Sequence, residues 1–139
     1  RARMERMLAM SDIIKLSDED LTFFDAAGDF DNFAAKLLEG GAKLVVMTQG
    51  GEGAVGIGHS GKVQALGLKV NVVDTVGAGD TVNAGLLAWL FKAGKLNKKA
   101  LANLSRDDIR EALSLAVRAA AVTVSRAGAN PPWEHELPA

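Results

Sequence analysis

The spacing of apolar and polar positions changes period several times along this chain, and each change predicts an element. Residues 2–11 place Met4, Met7, Leu8 and Met10 on one side of a helix, read as core packing. Asp12-Ile13-Ile14-Lys15-Leu16 predicts a short buried strand. Ser17 is placed to cap a helix, with Asp20 three residues on as a weak form of the capping box and Gly28 as its end. Residues 30–39 predict another helix, stopped by Gly40-Gly41. Leu44-Val45-Val46-Met47-Thr48 is a β-branched apolar run bounded by glycines, the pattern of a fully buried strand. Gly50-Gly51-Glu52-Gly53 reads as a turn.

Residues 54–73 lack helical periodicity. They predict three short strands, around Ala54, Val55 and Ile57, around Val63, Ala65 and Leu66, and around Val70, Val72 and Val73. His59-Ser60-Gly61-Lys62 supplies a hairpin turn. After Gly79 the helical period returns at Val82, Leu86, Trp89, Leu90 and Ala93, and Gly94 closes that helix. Residues 95–105 read as a polar connection. Ser105 and Asp108 cap a last long helix with Ile109, Leu113, Ala116, Val117, Ala120, Ala121 and Val124 on its apolar face. Gly128 stops it, and Pro131 and Pro132 prevent its resumption. Strands and helices in this order predict an α/β sandwich with a mainly parallel sheet and a β-hairpin region. No internal repeat, low-complexity tract or inter-domain linker interrupts it.

Composition narrows the class. The 139 residues fit one domain, and 48% hydrophobic against 24% charged residues is enough to bury a core. With 5% aromatics, that core must rest on Leu, Val, Ile and Ala. Sixteen basic and seventeen acidic residues are interspersed, for a net charge of -1, so no basic face for a nucleic acid is expected. The absence of Cys excludes disulfides and thiolate metal sites, and it fits a reducing cytoplasm. The longest apolar stretches fall short of a membrane span, and Glu5 and Arg6 break the pattern that a signal peptide would need. The chain opens on Arg1 and runs straight into an amphipathic pattern, which reads as a piece of a longer protein.

The chemistry concentrates in Asp74-Thr75-Val76-Gly77-Ala78-Gly79-Asp80, where a strand is expected to end and a helix to begin. Gly77, Ala78 and Gly79 let a ligand approach the backbone. The first amides of a helix lack internal partners, and the helix dipole adds positive charge there. The result is an anion site suited to phosphate and to the charge that spreads during phosphoryl transfer. A carboxylate in that first turn makes sense as a base toward an attacking hydroxyl. The bland reading is a strand–turn–helix corner with a capping Asp, and for an arbitrary Gly-Ala-Gly-Asp it would be preferred. The longer motif and a second motif upstream shift the balance.

Asp74 to Gly85 resembles the C-terminal signature of the PfkB-type, ribokinase-like carbohydrate kinases, with Val82 where the family usually has Phe. Lys15-Leu16-Ser17-Asp18-Glu19-Asp20-Leu21 resembles the family's Asn-x-x-Glu region in the Ser-bearing form of fructokinases, Ser17 and Asp20 replacing Asn and Glu. Thr48-Gln49-Gly50-Gly51-Glu52-Gly53 resembles its nucleotide loop, and Ser125 to Pro131 its C-terminal loop. The resemblance implies the C-terminal part of one ribokinase-like three-layer α/β/α domain, residues 1–139, without the N-terminal substrate and lid part. It implies ATP-dependent phosphorylation of a sugar hydroxyl, fructose by preference, with Mg²⁺ on the phosphates. Asp80 would be the catalytic base and Gly77, Ala78 and Gly79 the anion hole. Ser17, Thr48, Gln49, Gly50, Gly51, Glu52, Gly53, Gly79 and Asp80 would serve ATP. A monovalent cation such as K⁺ would sit at Asp74, Val76, Thr123, Arg126 and Gly128, although Pro132 stands where some members offer a Ser ligand. Val117 falls where ribokinase-type members carry an Asn near adenine. The full-length protein would be a candidate homodimer, and this fragment alone would be inactive. A nucleoside or vitamin-precursor kinase of the same fold, or a non-catalytic nucleotide-binding relative, are the alternatives.

Other signals are discounted. Gly51-Glu52-Gly53-Ala54-Val55-Gly56 matches a dinucleotide pattern but leads into a strand, not a helix, and no P-loop is present. His59 and His135 read as solvated surface. The acids from Asp18 to Asp31 read as a charged face. Trp89 fits the buried helix face, and Trp133 is expected to pack the tail.

Overall fold

Residues 1–25 and 27–138 are described by the structure, a computed structural model. The chain runs α1 (Ala2–Met10), β1 (Ile13–Ser17), α2 (Asp18–Phe24), α3 (Phe30–Glu39), β2 (Leu44–Thr48), β3 (Gly53–Gly58), β4 (Gly61–Leu66), α4 (Ala78–Lys92), α5 (Lys98–Ala102) and α6 (Arg106–Val124). Short 3₁₀ turns occupy Gly50–Glu52 and Glu134–Glu136.

The four strands form one sheet in the order β1-β2-β3-β4. β1 and β2 are parallel, since the helices α2 and α3 carry the chain back between them. β2–β3 and β3–β4 are antiparallel, because connections of a few residues can only reverse direction. The expected α/β sandwich is present, but the sheet is not mainly parallel: among the described residues only β1–β2 is a parallel pair. His59 and Ser60 make the tight turn between β3 and β4, with Gly58 paired to Gly61.

Strand alternation divides the core between two faces. Leu44, Val46, Ala54 and Val63 pack with Leu86, Leu90, Ile109 and Leu113 of α4 and α6. Ile14, Leu16, Val45, Met47 and Val55 pack with Leu21, Phe30 and Ala34 of α2 and α3. The sheet is thus the middle of three layers. Leu86, Leu90 and Leu113 are almost fully buried, each contributing roughly 1.5–3 kcal/mol. α4 and α6 lie close because Gly85 has no side chain: a Cβ there would stand 2.6 Å from the Ala116 Cα.

Several expectations need correction. Met4, Met7 and Met10 are exposed, since only Leu8 of α1 reaches the core. α2 ends at Phe24 with Asp25 as its cap, before Gly28. Val70, Val72 and Val73 form no strand: the sheet stops at β4, and these side chains are exposed. Residues 95–105 contain α5, capped by the Asn97 side chain, with Leu101 and Leu104 buried. Trp133 is exposed, held in extended backbone after the two prolines, where its amide donates to Glu136.

Candidate active site

Helices α2, α4 and α6 each carry an aspartate at their third position, and the structure uses these acids differently. In α2 the Ser17 hydroxyl accepts the Asp20 amide at 3.0 Å, and the Asp20 carboxylate accepts the Ser17 amide at 3.0 Å. α6 repeats this with Ser105 and Asp108 at 3.0 and 2.9 Å. Both helix starts are closed capping boxes.

α4 begins differently. Its N-cap is Gly77, in the left-handed region at φ 82°, with no side chain to cap anything. Asp80 is exposed and makes no hydrogen bond or ion pair among the described residues. The Ala78 amide donates to the Thr75 carbonyl at 3.2 Å, which takes it out of the expected anion hole. The amides of Gly77, Gly79 and Asp80 have no partner among the described residues. What remains is a cluster of open amides beside a free carboxylate at the positive end of a 15-residue helix.

Two devices hold this corner in place. The Gly77 carbonyl accepts from both the amide and the hydroxyl of Thr81, each at 2.9 Å. The Thr81 hydroxyl lies 2.9 Å from that of Thr123, a buried contact that ties α4 to α6. The Asp74 carboxylate accepts the Val76 amide at 3.0 Å and the Gly128 amide at 2.9 Å. These bonds, the Val76 amide first, hold Asp74 below the usual carboxylate pKa. The Val73 and Asp74 amides both donate to the Val124 carbonyl at the end of α6.

A cavity of about 490 Å³ opens beside the α4 start. Thr48, Gly50, Gly51 and Gly53 form one wall, and Ala78 and Gly79 form the end. Gln49, Glu52, Ser17 and Asp80 lie outside its wall. Ser17 is spent on the α2 cap, and the Glu52 carbonyl accepts the Gly67 amide at 3.0 Å. The buried Gln49 Oε1 has no partner among the described residues. Of the residues expected around a monovalent cation, Asp74, Val76 and Gly128 meet directly, and Thr123 packs beneath Gly77. Arg126 points its guanidinium to Glu136 at 2.7 Å. Among the described residues no cluster of His, Asp or Glu could hold a metal by side chains alone.

The sequence reading missed the rest of the wall. Gly67, Leu68, Lys69 and Val70 cover one side. Ala120, Ala121 and Val124 of α6 form the floor together with Val117, which the resemblance had set at the position near adenine; assignment to a core face hid the second role of the other three. It also missed Lys15, whose ammonium stands beside Gly79, so that a Cβ on that glycine would be 3.1 Å from Nζ. A lone charge inside the apolar β1 run was the available signal.

Comparison with known proteins bears on this geometry. A profile described as the pfkB family carbohydrate kinases matches residues 1–136. A fructokinase of Rhizobium leguminosarum bv. trifolii is 51% identical over 109 residues, 78% of this chain and 33% of the relative. A probable chloroplastic fructokinase of Arabidopsis thaliana is 40% identical over 125 residues, 87% of this chain and 30% of the relative. This chain therefore spans about a third of the length of these relatives. Among solved structures, a fructokinase of Vibrio cholerae O395 bound to fructose, ADP and calcium superposes with a TM-score of 0.74 at 26% identity, covering 92% of this chain and 39% of that one. An aminoimidazole riboside kinase of Salmonella enterica, complexed with its riboside and an ATP analogue, gives 0.72 at 30% identity, covering 91% and 40%.

Proposed function

Because the chain belongs to the pfkB family of carbohydrate kinases, we propose that it is the nucleotide-binding and catalytic portion of an ATP-dependent sugar kinase. Fructose is the proposed acceptor, on the strength of the 51% identity to the Rhizobium fructokinase. The observation that carries the chemistry is the uncapped start of α4, with open amides at Gly77, Gly79 and Asp80 beside the free Asp80 carboxylate.

The cavity is of a size that fits a small-molecule cofactor, within the usual range of about 300–1,000 Å³. In this reading the nucleotide enters between the Thr48–Gly53 loop and α6, with its terminal phosphate at the α4 start. The sugar hydroxyl oxygen attacks the γ-phosphorus and its proton passes to Asp80. The bond to the bridging oxygen breaks, and its electron pair leaves on ADP. The open amides meet the charge that develops on the phosphoryl oxygens, a task that mostly requires positioning. Mg²⁺, bound with nucleotide, would supply neutralising charge; such an ion is typically held through phosphates and water, so it would need no carboxylate cage, and the described residues form none. K⁺ would rest at Asp74 and Val76 and on the carbonyls of Thr123, Arg126 and Gly128, where Asp74 fixes the backbone by its two amide contacts.

Replacing Asp80 by Asn in the complete kinase is expected to lower kcat by about 10²–10⁴-fold while ATP affinity by calorimetry stays near wild type. Near-normal turnover would sink the mechanism. The riboside kinase neighbour favours a nucleoside acceptor as the second reading. Rates on fructose, ribose, 2-keto-3-deoxygluconate and adenosine decide between them, and a clear preference for any acceptor but fructose overturns the first choice. The isolated 139 residues are expected to show no sugar phosphorylation.

A further inference from the structure

β1 carries one charge within an apolar run, Ile13-Ile14-Lys15-Leu16. Ile14 and Leu16 pack on the face covered by α2 and α3, and Ile13 packs against the cluster that contains α4 and α6. The two-residue period of a strand puts Lys15 on the α4 side. Its stem is half-buried, and its ammonium reaches the first turn of α4 beside Gly79.

That placement is electrostatically costly. The N-terminus of a helix is its positive end, and a cation is disfavoured there. No carboxylate pairs with it among the described residues. Among the described residues the Lys15 ammonium makes no hydrogen bond and no ion pair within 4.0 Å. Asp20 feels its charge, but Asp20 is already engaged by Ser17, and its carboxyl is held low by the Ser17 amide and hydroxyl before any effect of Lys15. Asp80, in the same turn of α4, does not pair with it. The open amide of Gly79, the Lys15 ammonium beside it and the cavity end at Ala78 and Gly79 therefore meet at one glycine, a place that suits an anion, although Lys15, Gly77 and Asp80 themselves lie outside the cavity wall.

We propose that Lys15 is a catalytic residue for phosphoryl transfer, its ammonium donating hydrogen bonds to oxygens of the transferring group. The proposal rests on the kinase reading above. As the sugar oxygen–phosphorus bond forms and the phosphorus–bridging oxygen bond breaks, negative charge collects on the phosphoryl oxygens and the departing ADP. Lys15 meets that charge and gives up no proton; the hydroxyl proton goes to Asp80.

The test compares Lys15→Met and Lys15→Arg in the complete kinase. Methionine keeps much of the stem's packing and removes the charge. The Met variant should lose about 10²-fold in kcat with sugar KM within about threefold of wild type, and the Arg variant should recover at least about a tenth of wild-type turnover. Its Tm should equal or exceed that of wild type, because an unpaired cation has left the positive end of α4. A kcat within threefold of wild type, or a lower Tm that accounts for the loss, would overturn the assignment. Tripolyphosphate binding by calorimetry separates this idea from the kinase reading. If wild type shows no sugar phosphorylation but the Met variant binds tripolyphosphate about tenfold more weakly, the kinase reading fails and the Lys15 contact stands. Equal binding by the two overturns the contact.

Discussion

Helices α4 and α6 pack along one another, pinned where Gly85 meets Ala116, and both carry an aspartate in the third position of the first turn. Asp108 of α6 faces an N-cap serine, and the two close a reciprocal box. Asp80 of α4 faces Gly77, which has nothing to offer it. The difference is one side chain at the N-cap. With serine, amides and carboxylate satisfy each other and the helix start is structural. With a left-handed glycine, both are left without a partner among the described residues. α4 accordingly forgoes a side-chain cap, which with glycine in that place costs only about a few tenths of a kcal/mol, and its start is stabilised by the Thr81–Thr123 contact and Asp74 instead.

Giving α4 a side chain at its cap is the strongest way to break this contrast. Gly77→Ala would place a Cβ 3.0 Å from that of Ala129 at a backbone angle that L-residues avoid. The left-handed conformation alone costs about 1–2 kcal/mol. Relaxation would turn the Gly77 and Gly79 amides away from their common target. The expected outcome in the complete kinase is a kcat lower by about 10²-fold, with a modest fall in Tm. Unchanged turnover would show that the geometry of Gly77 is not needed at the site.

Local chemistry was the legible part of this molecule. Ser17 with Asp20 and Ser105 with Asp108 announce helix starts because their partners lie three residues away. Leu44–Thr48 announces a buried strand because both its faces are covered. The Thr48–Gly53 loop and the Gly77–Asp80 corner were legible for the same reason. Features that depend on distant neighbours were not. Val70, Val72 and Val73 have the alternation of a strand but no strand beside them to pair with. α5 hides in a lysine- and asparagine-rich stretch whose buried Leu101 and Leu104 are too few to set a period. Lys15 and Gly79 are 64 residues apart in sequence, and only the sheet brings them together.

Removing the cap of α6 sharpens the contrast from the other side. Ser105→Ala deletes the acceptor for the Asp108 amide and should lower stability by about 1 kcal/mol, read from urea unfolding of the complete kinase. Turnover should hold at wild-type values at temperatures below the unfolding transition, because this helix start serves no ligand. A tenfold loss of kcat in the folded variant would mean that the α6 start also acts in catalysis, and the division of labour between the two helices would fall.

The smallest effect expected is in the acid limb of stability. Burial works to raise the Asp108 pKa, but the Lys95 ammonium at 2.8 Å and the Ser105 amide and hydroxyl outweigh it, so the group sits below its ordinary 3.8. A carboxylate depressed in the folded state stabilises it above the unfolded pKa, and that contribution disappears as pH falls through the folded value. Between neutral pH and about 4 the Asp108 contribution should therefore be constant, and it should decline at lower pH as the box and the Lys95 pair are protonated apart. Asp108→Asn lacks this titration. Its Tm should lie below that of wild type at neutral pH, and the gap between the two should narrow as pH drops under 4. A gap that stayed constant down to pH 2 would mean that Asp108 contributes through shape and neutral hydrogen bonds, and that the charge on a capping aspartate matters no more to α6 than its geometry does.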